Sequence, residues 1–153
     1  MQNLFTLLPI LKQVLFPLKL LLVQNNLSEP YTGGIGSNTL IQMVLFIYQL
    51  APEGYKDSAG KLFLLFLRIF GFEFNFYKVG LSTRESGYVF QKFHLQGKPP
   101  CITVEDPQFP GNFIGENAFR TDEFRTMCAS CYETLRAASR ARCSLLGQII
   151  KPP

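Results

Sequence analysis

The chain has 153 residues, which fits one domain and is long enough to bury a real core. Apolar residues make up 47% and charged residues 17%, a balance that excludes a disordered chain. A net charge of +4 permits a polyanionic partner without demanding one, and fifteen Phe with no Trp imply an aromatic core but name no function.

Leu4 to Val23 is nearly all apolar. No basic residue precedes the run and no small-residue cleavage site follows, which argues against a signal peptide. Lys12 and Lys19 argue against a membrane span, because a central Lys costs roughly 2.5–3.5 kcal/mol on insertion scales. Pro9 and Pro17 interrupt the run, so the expectation is two short buried helices split near Pro17, with Pro17 at or near a helix start. The pattern from Leu18 to Gln24 is helical with Lys19 off the apolar face, and Asn25 and Asn26 end it.

Glu29 to Ser37 is a loop carrying Gly33, Gly34 and Gly36. Ser37 or Asn38 is positioned to cap a helix over Thr39 to Leu50, closed by Ala51-Pro-Glu-Gly54. A Gly-rich turn before a helix lets backbone N–H groups approach an anion while the helix N-terminus points at it. Ser37 adds a hydroxyl, and Lys19 is near enough in sequence to add a charge. Such turns are common, and this one is not a Walker A loop, since no Gly-Lys-Ser/Thr follows.

Gly60 to Phe70 reads as a strongly apolar helix ended by Gly71. Phe72 to Leu81 alternates large apolar and polar residues and suggests a short strand, Ser82 to Gly87 a turn, Tyr88 to Phe93 a return strand, and Cys101 to Val104 a further short strand.

Val104 to Phe119 holds too many Pro and Gly residues for a helix or a central strand. Pro107 and Pro110 stiffen it, Gly111 and Gly115 bend it, and Glu105, Asp106 and Asn112 are its polar groups. It is either an ordinary surface loop or a recognition loop; a second glycine-rich loop on the same small helical body suggests a ligand between the two. The final helix is expected from about Thr121 to Leu146, with Thr121 as N-cap and Asp122 and Glu123 in its first turn. Arg136, Arg140 and Arg142 form either a solvated face or a phosphate-contacting patch.

Cys128 and Cys131 form a C-x-x-C inside this helix, and only Cys143, Cys101 and His94 remain to complete a zinc set, so buried thiols are the plainer reading. No Asp-x-Asp or Asp-x-Glu pair suggests a two-metal centre, and His94 has no evident nucleophile partner. The chain reads as able to bind rather than to catalyse.

Leu18-Lys19 through Ser37, Gly60 to Tyr77, Ser86-Gly87-Tyr88 and Glu105-Asp106-Pro107 stand in an order that resembles the central domain of the poly(A) and poly(U) RNA polymerases with a PAP-associated domain. The chain looks most like the nuclear RNA-surveillance, TRAMP-type poly(A) polymerases. The likeness runs from about Ile10 to Leu135. It implies a mainly α fold with a few short strands (α+β), the helical central domain of polymerase-beta-like nucleotidyltransferases, as one unit over residues 1–153. It also implies that Lys19, Gly34 and Ser37 lie on the nucleotide phosphates, and that Asn38, Asp106 and Asn112 lie on the base. ATP rather than UTP is the substrate the resemblance implies, since poly(A) members tend to have Asn where Asn112 stands and many uridylyl members have His; Mg or Mn would act only with the catalytic palm domain, which these residues lack. RNA, a palm domain or partner subunit, and a zinc-knuckle protein of RNA surveillance are the implied partners, with no membrane and a nuclear location.

Three departures qualify the match. Asn38 replaces an aromatic residue on which the base stacks, a term worth about 1–3 kcal/mol in nucleic-acid contexts. Phe113-Ile114-Gly115-Glu116 replaces Asp-Val-Gly-Arg and reverses a charge beside a polyphosphate. No palm motif is present. The chain is therefore expected to be the nucleotide- and RNA-binding part of a template-independent nucleotidyltransferase, inactive alone; the alternative is a non-catalytic scaffold derived from that domain.

Overall fold

Leu11, Val14, Leu18, Leu21 and Leu22 form one buried stripe along a single helix, α1 (Leu4–Gln24). The expected break at Pro17 does not occur; Pro9 and Pro17 both lie inside α1. A mid-helix Pro costs about 3 kcal/mol, but the stripe runs on both sides of Pro17, and each buried Leu or Val stabilises by about 1.5–3 kcal/mol. Gln13, whose carbonyl loses its partner at Pro17, is exposed to water. The helix ends as expected at Asn26, which adopts φ 57°. Asn26 N–H donates to Val23 O (3.2 Å) and Leu27 N–H to Leu22 O (2.8 Å), a left-handed C-terminal cap.

The computed structural model describes residues 4–92, 101–116 and 118–141. Besides α1 it contains α2 (Ser37–Leu50), α3 (Ala59–Arg68) and α4 (Thr121–Ala141). Four short strands, β1 (Val79–Ser82), β2 (Tyr88–Gln91), β3 (Val104–Glu105) and β4 (Phe113–Ile114), form one sheet in the order β2-β1-β3-β4. β1 is antiparallel to β2 and parallel to β3, and β3 is antiparallel to β4. The fold is mainly helical with a few short strands, as the sequence implied.

The core is a cluster of phenylalanines. Phe70 is fully buried, with Phe66, Phe74, Phe76 and Phe124 around it at 4.8, 5.3, 6.0 and 6.4 Å between ring centroids. Rings without polar atoms fill this volume with no hydrogen-bond demand, which is the physical use of a Phe-rich, Trp-free composition.

Two of the expected strands differ in the structure. Phe72 to Leu81 is not a strand throughout: α3 passes at Ile69 into a π-turn (Ile69–Glu73), so Gly71 does not end the helix. Gly71 instead lets the turn press on α4, where a Cβ would stand 2.8 Å from Ala129 N. Arg125 of α4 donates to Gly71 O (3.2 Å) and Phe72 O (3.3 Å), satisfying carbonyls that the turn leaves open. Asn75 Oδ1 then accepts from Tyr77 N–H (3.0 Å) and reverses the chain before β1. Likewise Cys101 to Val104 is strand only from Val104, although Ile102 N–H donates to Ala118 O (3.2 Å) and Leu81 N–H to Thr103 O (2.9 Å), and the Val104–Phe119 stretch contains a hairpin whose arms are β3 and β4. The expected strand end at Phe93, His94, Cys143, Arg142 and the helix beyond Ala141 lie outside the described residues, as does the side chain of Arg140.

Candidate functional site

The first glycine-rich loop is held by its own backbone. Gly34 N–H donates to Glu29 O (2.8 Å), Gly33 N–H to Pro30 O (3.1 Å) and Ile35 N–H to Leu27 O (2.7 Å). The expectation that the Gly33 and Gly34 amides face an anion is therefore not met; both amides are turned into the loop. Gly34 serves a different purpose. A Cβ there would stand 2.4 Å from Leu27 O, so only glycine lets the two strands of the loop pass this closely.

α2 begins at Ser37, with Gly36 as its cap residue and no capping side chain. Neither Ser37 nor Asn38 caps the helix; both are exposed within it. Gly36 offers no capping side chain, so the partial positive charge of the α2 N-terminus lies beside the Ser37 hydroxyl.

The second loop docks directly on the first. Arg120 N–H donates to Gly33 O (3.1 Å), and the Phe119 ring lies over Gly33, where a Cβ would come within 2.5 Å of the ring. Gly115, at φ 86°, sits where a Cβ would be 3.0 Å from Thr39 Cγ2. Between the loops is an open cleft of about 400 Å³. Pro30, Gly34, Ser37 and Asn38 line one wall, and Gly115 and Ala118 the other.

Of the residues singled out from sequence, Gly34, Ser37 and Asn38 share this cleft. Lys19 is exposed on α1 and is not among the residues lining it. Asp106 and Asn112 lie at the far end of the hairpin loop and face each other through the backbone, Asp106 N–H donating to Asn112 O (2.9 Å). Asp106 Oδ1 accepts from Gln108 N–H (2.9 Å), and Asn112 is exposed.

Glu105 was not marked out by sequence reasoning as a site residue, yet it anchors the hairpin. Its Oε1 accepts from Ser82 Oγ (2.8 Å) and Tyr88 OH (2.9 Å), with an Arg84 nitrogen at 4.0 Å. The Ser82 hydroxyl, then the Tyr88 hydroxyl, the Arg84 charge and the Gly111 amide hold its carboxyl below the ordinary range. The signal was present in sequence, in Ser86-Gly87-Tyr88 and Glu105-Asp106-Pro107, but only the β1–β3 pairing joins the two.

Glu116 is exposed, and its charge acts on the Lys92 ammonium. Lys92 donates to Phe76 O (2.6 Å) and Cys101 O (2.5 Å), and burial lowers its pKa. The negative charge beside the cleft thus has a nearby cation that the sequence did not reveal.

At the entry of α4, Phe124 N–H donates to Arg120 O (3.1 Å), so Arg120 rather than Thr121 precedes the helix; Thr121 is its first, buried residue. Arg120 also donates to Asn26 O and pairs with Glu123, tying α4 to the end of α1. Cys128 and Cys131 are buried on α4, and burial pushes both thiols up, away from the thiolate a metal needs. Among the described residues no three His, Cys, Asp or Glu stand where they could hold a metal ion, and no helix is long and apolar enough to cross a membrane.

Residues 58–112 match the family model described as Cid1 family poly A polymerase, a PAP-associated segment. The chain is 33% identical over 137 residues to poly(A) RNA polymerase CID14 of Cryptococcus neoformans, a match covering 84% of this chain and 18% of that protein. It is 32% identical over 123 residues to the inactive non-canonical poly(A) RNA polymerase Trf4-2 of Drosophila melanogaster, covering 72% of this chain and 30% of the relative. In fold it is similar to a chain from the polymerase core of TRAMP, an RNA surveillance complex, with a TM-score of 0.81 and 23% identity over 94% of this chain and 51% of the other. The chain thus spans a minor part of the curated relatives it matches; it is homologous to poly(A) RNA polymerases over that part, and its PAP-associated match lies within residues 58–112.

Proposed function

We propose that this chain, a PAP-associated segment homologous to poly(A) RNA polymerases, holds ATP and part of the RNA in an enzyme that adds AMP to RNA 3′ ends. The observation that carries the reading is the cleft formed where the recognition hairpin docks on the first turn of α2, with Ser37 and Asn38 facing Gly115 and Ala118. An uncapped helix N-terminus beside a hydroxyl suits a phosphate. In this reading Ser37 contacts the phosphates, Gly34 shapes the wall by its lack of a side chain, and Lys19 supplies charge from α1. Asn38 lies toward the base from the cleft wall, and Asp106 and Asn112, which do not line the cleft, act on the base from the hairpin loop. As a single central domain, the chain works with a palm that supplies the metal-binding carboxylates. The described residues do not fit Mg or Mn, so no metal-dependent step is assigned to them. RNA surveillance in the nucleus, with a zinc-knuckle partner, is the setting this reading favours.

Calorimetric titration of the purified chain with ATP and UTP tests it. ATP should bind more tightly than UTP, Ser37→Ala should weaken ATP, and Asn112→His should narrow the preference. Equal, undetectable binding of both nucleotides overturns it.

A second reading is a scaffold that has lost the nucleotide. Asn38 favours it, because the cleft wall lacks an aromatic ring at that position, and one relative is itself described as inactive.

A further inference from the structure

We infer that a second surface of the chain, between α3 and α4, binds single-stranded RNA. A groove of about 230 Å³ runs there, lined by Tyr55, Lys61, Arg68, Tyr132 and Arg136 among others, with no carboxylate in its lining. Two rings in it are each paired with a cation. Lys61 Nζ lies 5.7 Å from the Tyr55 ring centroid, and Arg136 Cζ lies 5.7 Å from that of Tyr132. Phe72, 44% exposed at the π-turn, packs edge-on against Tyr132 at 5.7 Å and extends the aromatic surface. Arg68 is ion-paired with Glu73 at 3.4 Å, while Lys61 and Arg136 are exposed with their charges over rings. Glu133 is exposed on α4 but does not line the groove.

The groove is too small to enclose a drug-sized ligand. A cation over a ring, occurring twice, sets a positive charge and an aromatic group together, as the alternation of phosphate and base along a single strand requires. Bases stack on aromatic faces without sequence preference, and cations neutralise the backbone beside them. An acidic peptide would meet the charges but offer nothing flat to the rings. No lining residue is shared with the ATP cleft, so an RNA held here is held away from the nucleotide. The inference deepens the RNA side of the proposed function and rests on it.

The test is fluorescence anisotropy of the full chain with labelled oligo(A), for wild type and the double variant Lys61→Glu/Arg136→Glu. Both residues are exposed, so the fold should persist; Lys61→Gln/Arg136→Gln serves if it does not. The variant should bind roughly tenfold more weakly, and the log–log salt slope should fall by about 1.4, for two phosphates at about 0.7 each. ATP binding, measured separately, should be unchanged. Wild-type-like RNA binding by the variant overturns the groove and leaves the functional reading standing. A wild type that binds no oligo(A), or that binds poly-glutamate in its place, overturns both the groove and the RNA role.

Discussion

The Tyr88 hydroxyl donates to Glu105 at 2.9 Å, and through this contact strand β2 holds the β3–β4 hairpin even though β2 and β3 are not neighbours in the sheet. Ser82 of β1, fully buried, donates to the same oxygen at 2.8 Å. One carboxylate therefore fixes the arm of the loop that carries Asp106 and Asn112.

Replacing Glu105 with Ala leaves the buried Ser82 hydroxyl without this acceptor. The expected loss is about 1–3 kcal/mol in urea unfolding. The pH dependence follows from the depressed carboxyl: the folded state favours the ionised form. Its contribution is present above the unfolded carboxyl value, about 4.3, and is lost as pH falls through the lower folded value. The acid limb of a stability–pH profile should therefore be shallower in Glu105→Ala than in wild type.

Gly34→Ala places a Cβ 2.4 Å from Leu27 O, which is backbone and cannot swing aside. It should destabilise by about 1–3 kcal/mol and distort the cleft wall. Gly54→Ala meets nothing within 4 Å and should be close to neutral. Paired thermal melts of the two variants check the contrast.

Phe70→Ala removes the ring around which four others pack. Truncating a fully buried Phe should cost about 3–5 kcal/mol, seen as a shift in the denaturant midpoint without a new ligand effect.

Asn38→Tyr puts a ring into the cleft where Asn38 now lines the wall. If the base lies there, stacking should tighten ATP by about 1 kcal/mol or more, roughly fivefold or more. Calorimetry with ATP measures it; an unchanged affinity places the base elsewhere.

The helices were legible wherever apolar spacing and end signals agreed. α2, α3 and α4 appear close to where their patterns put them, and Asn26 ends α1 as its type suggests. The misreadings share a cause: local rules yielded to burial across the chain. Pro17 did not break α1 because Leu11 to Leu22 face one core. Phe72 to Leu81 reads as alternating, but its first part is a π-turn and the Asn75 turn, which bury Phe70, Phe74 and Phe76 and leave Phe72 exposed. Within the candidate site, the glycines announced a tight loop but not where its amides point, since that depends on Glu29, Pro30 and Leu27. Glu105 stood out as a polar group of its loop, but its anchoring role, like the place of Lys92, was hidden because the partners lie in other strands and loops, which no short motif joins.

Amide chemical-shift mapping of the labelled chain on titration with ATP tests whether the nucleotide sits between the two loops. The largest shifts are expected at Ser37, Asn38, Gly115 and Ala118, the two sides of one cleft. Shifts confined to other surfaces, or none at millimolar ATP, would contradict that placement.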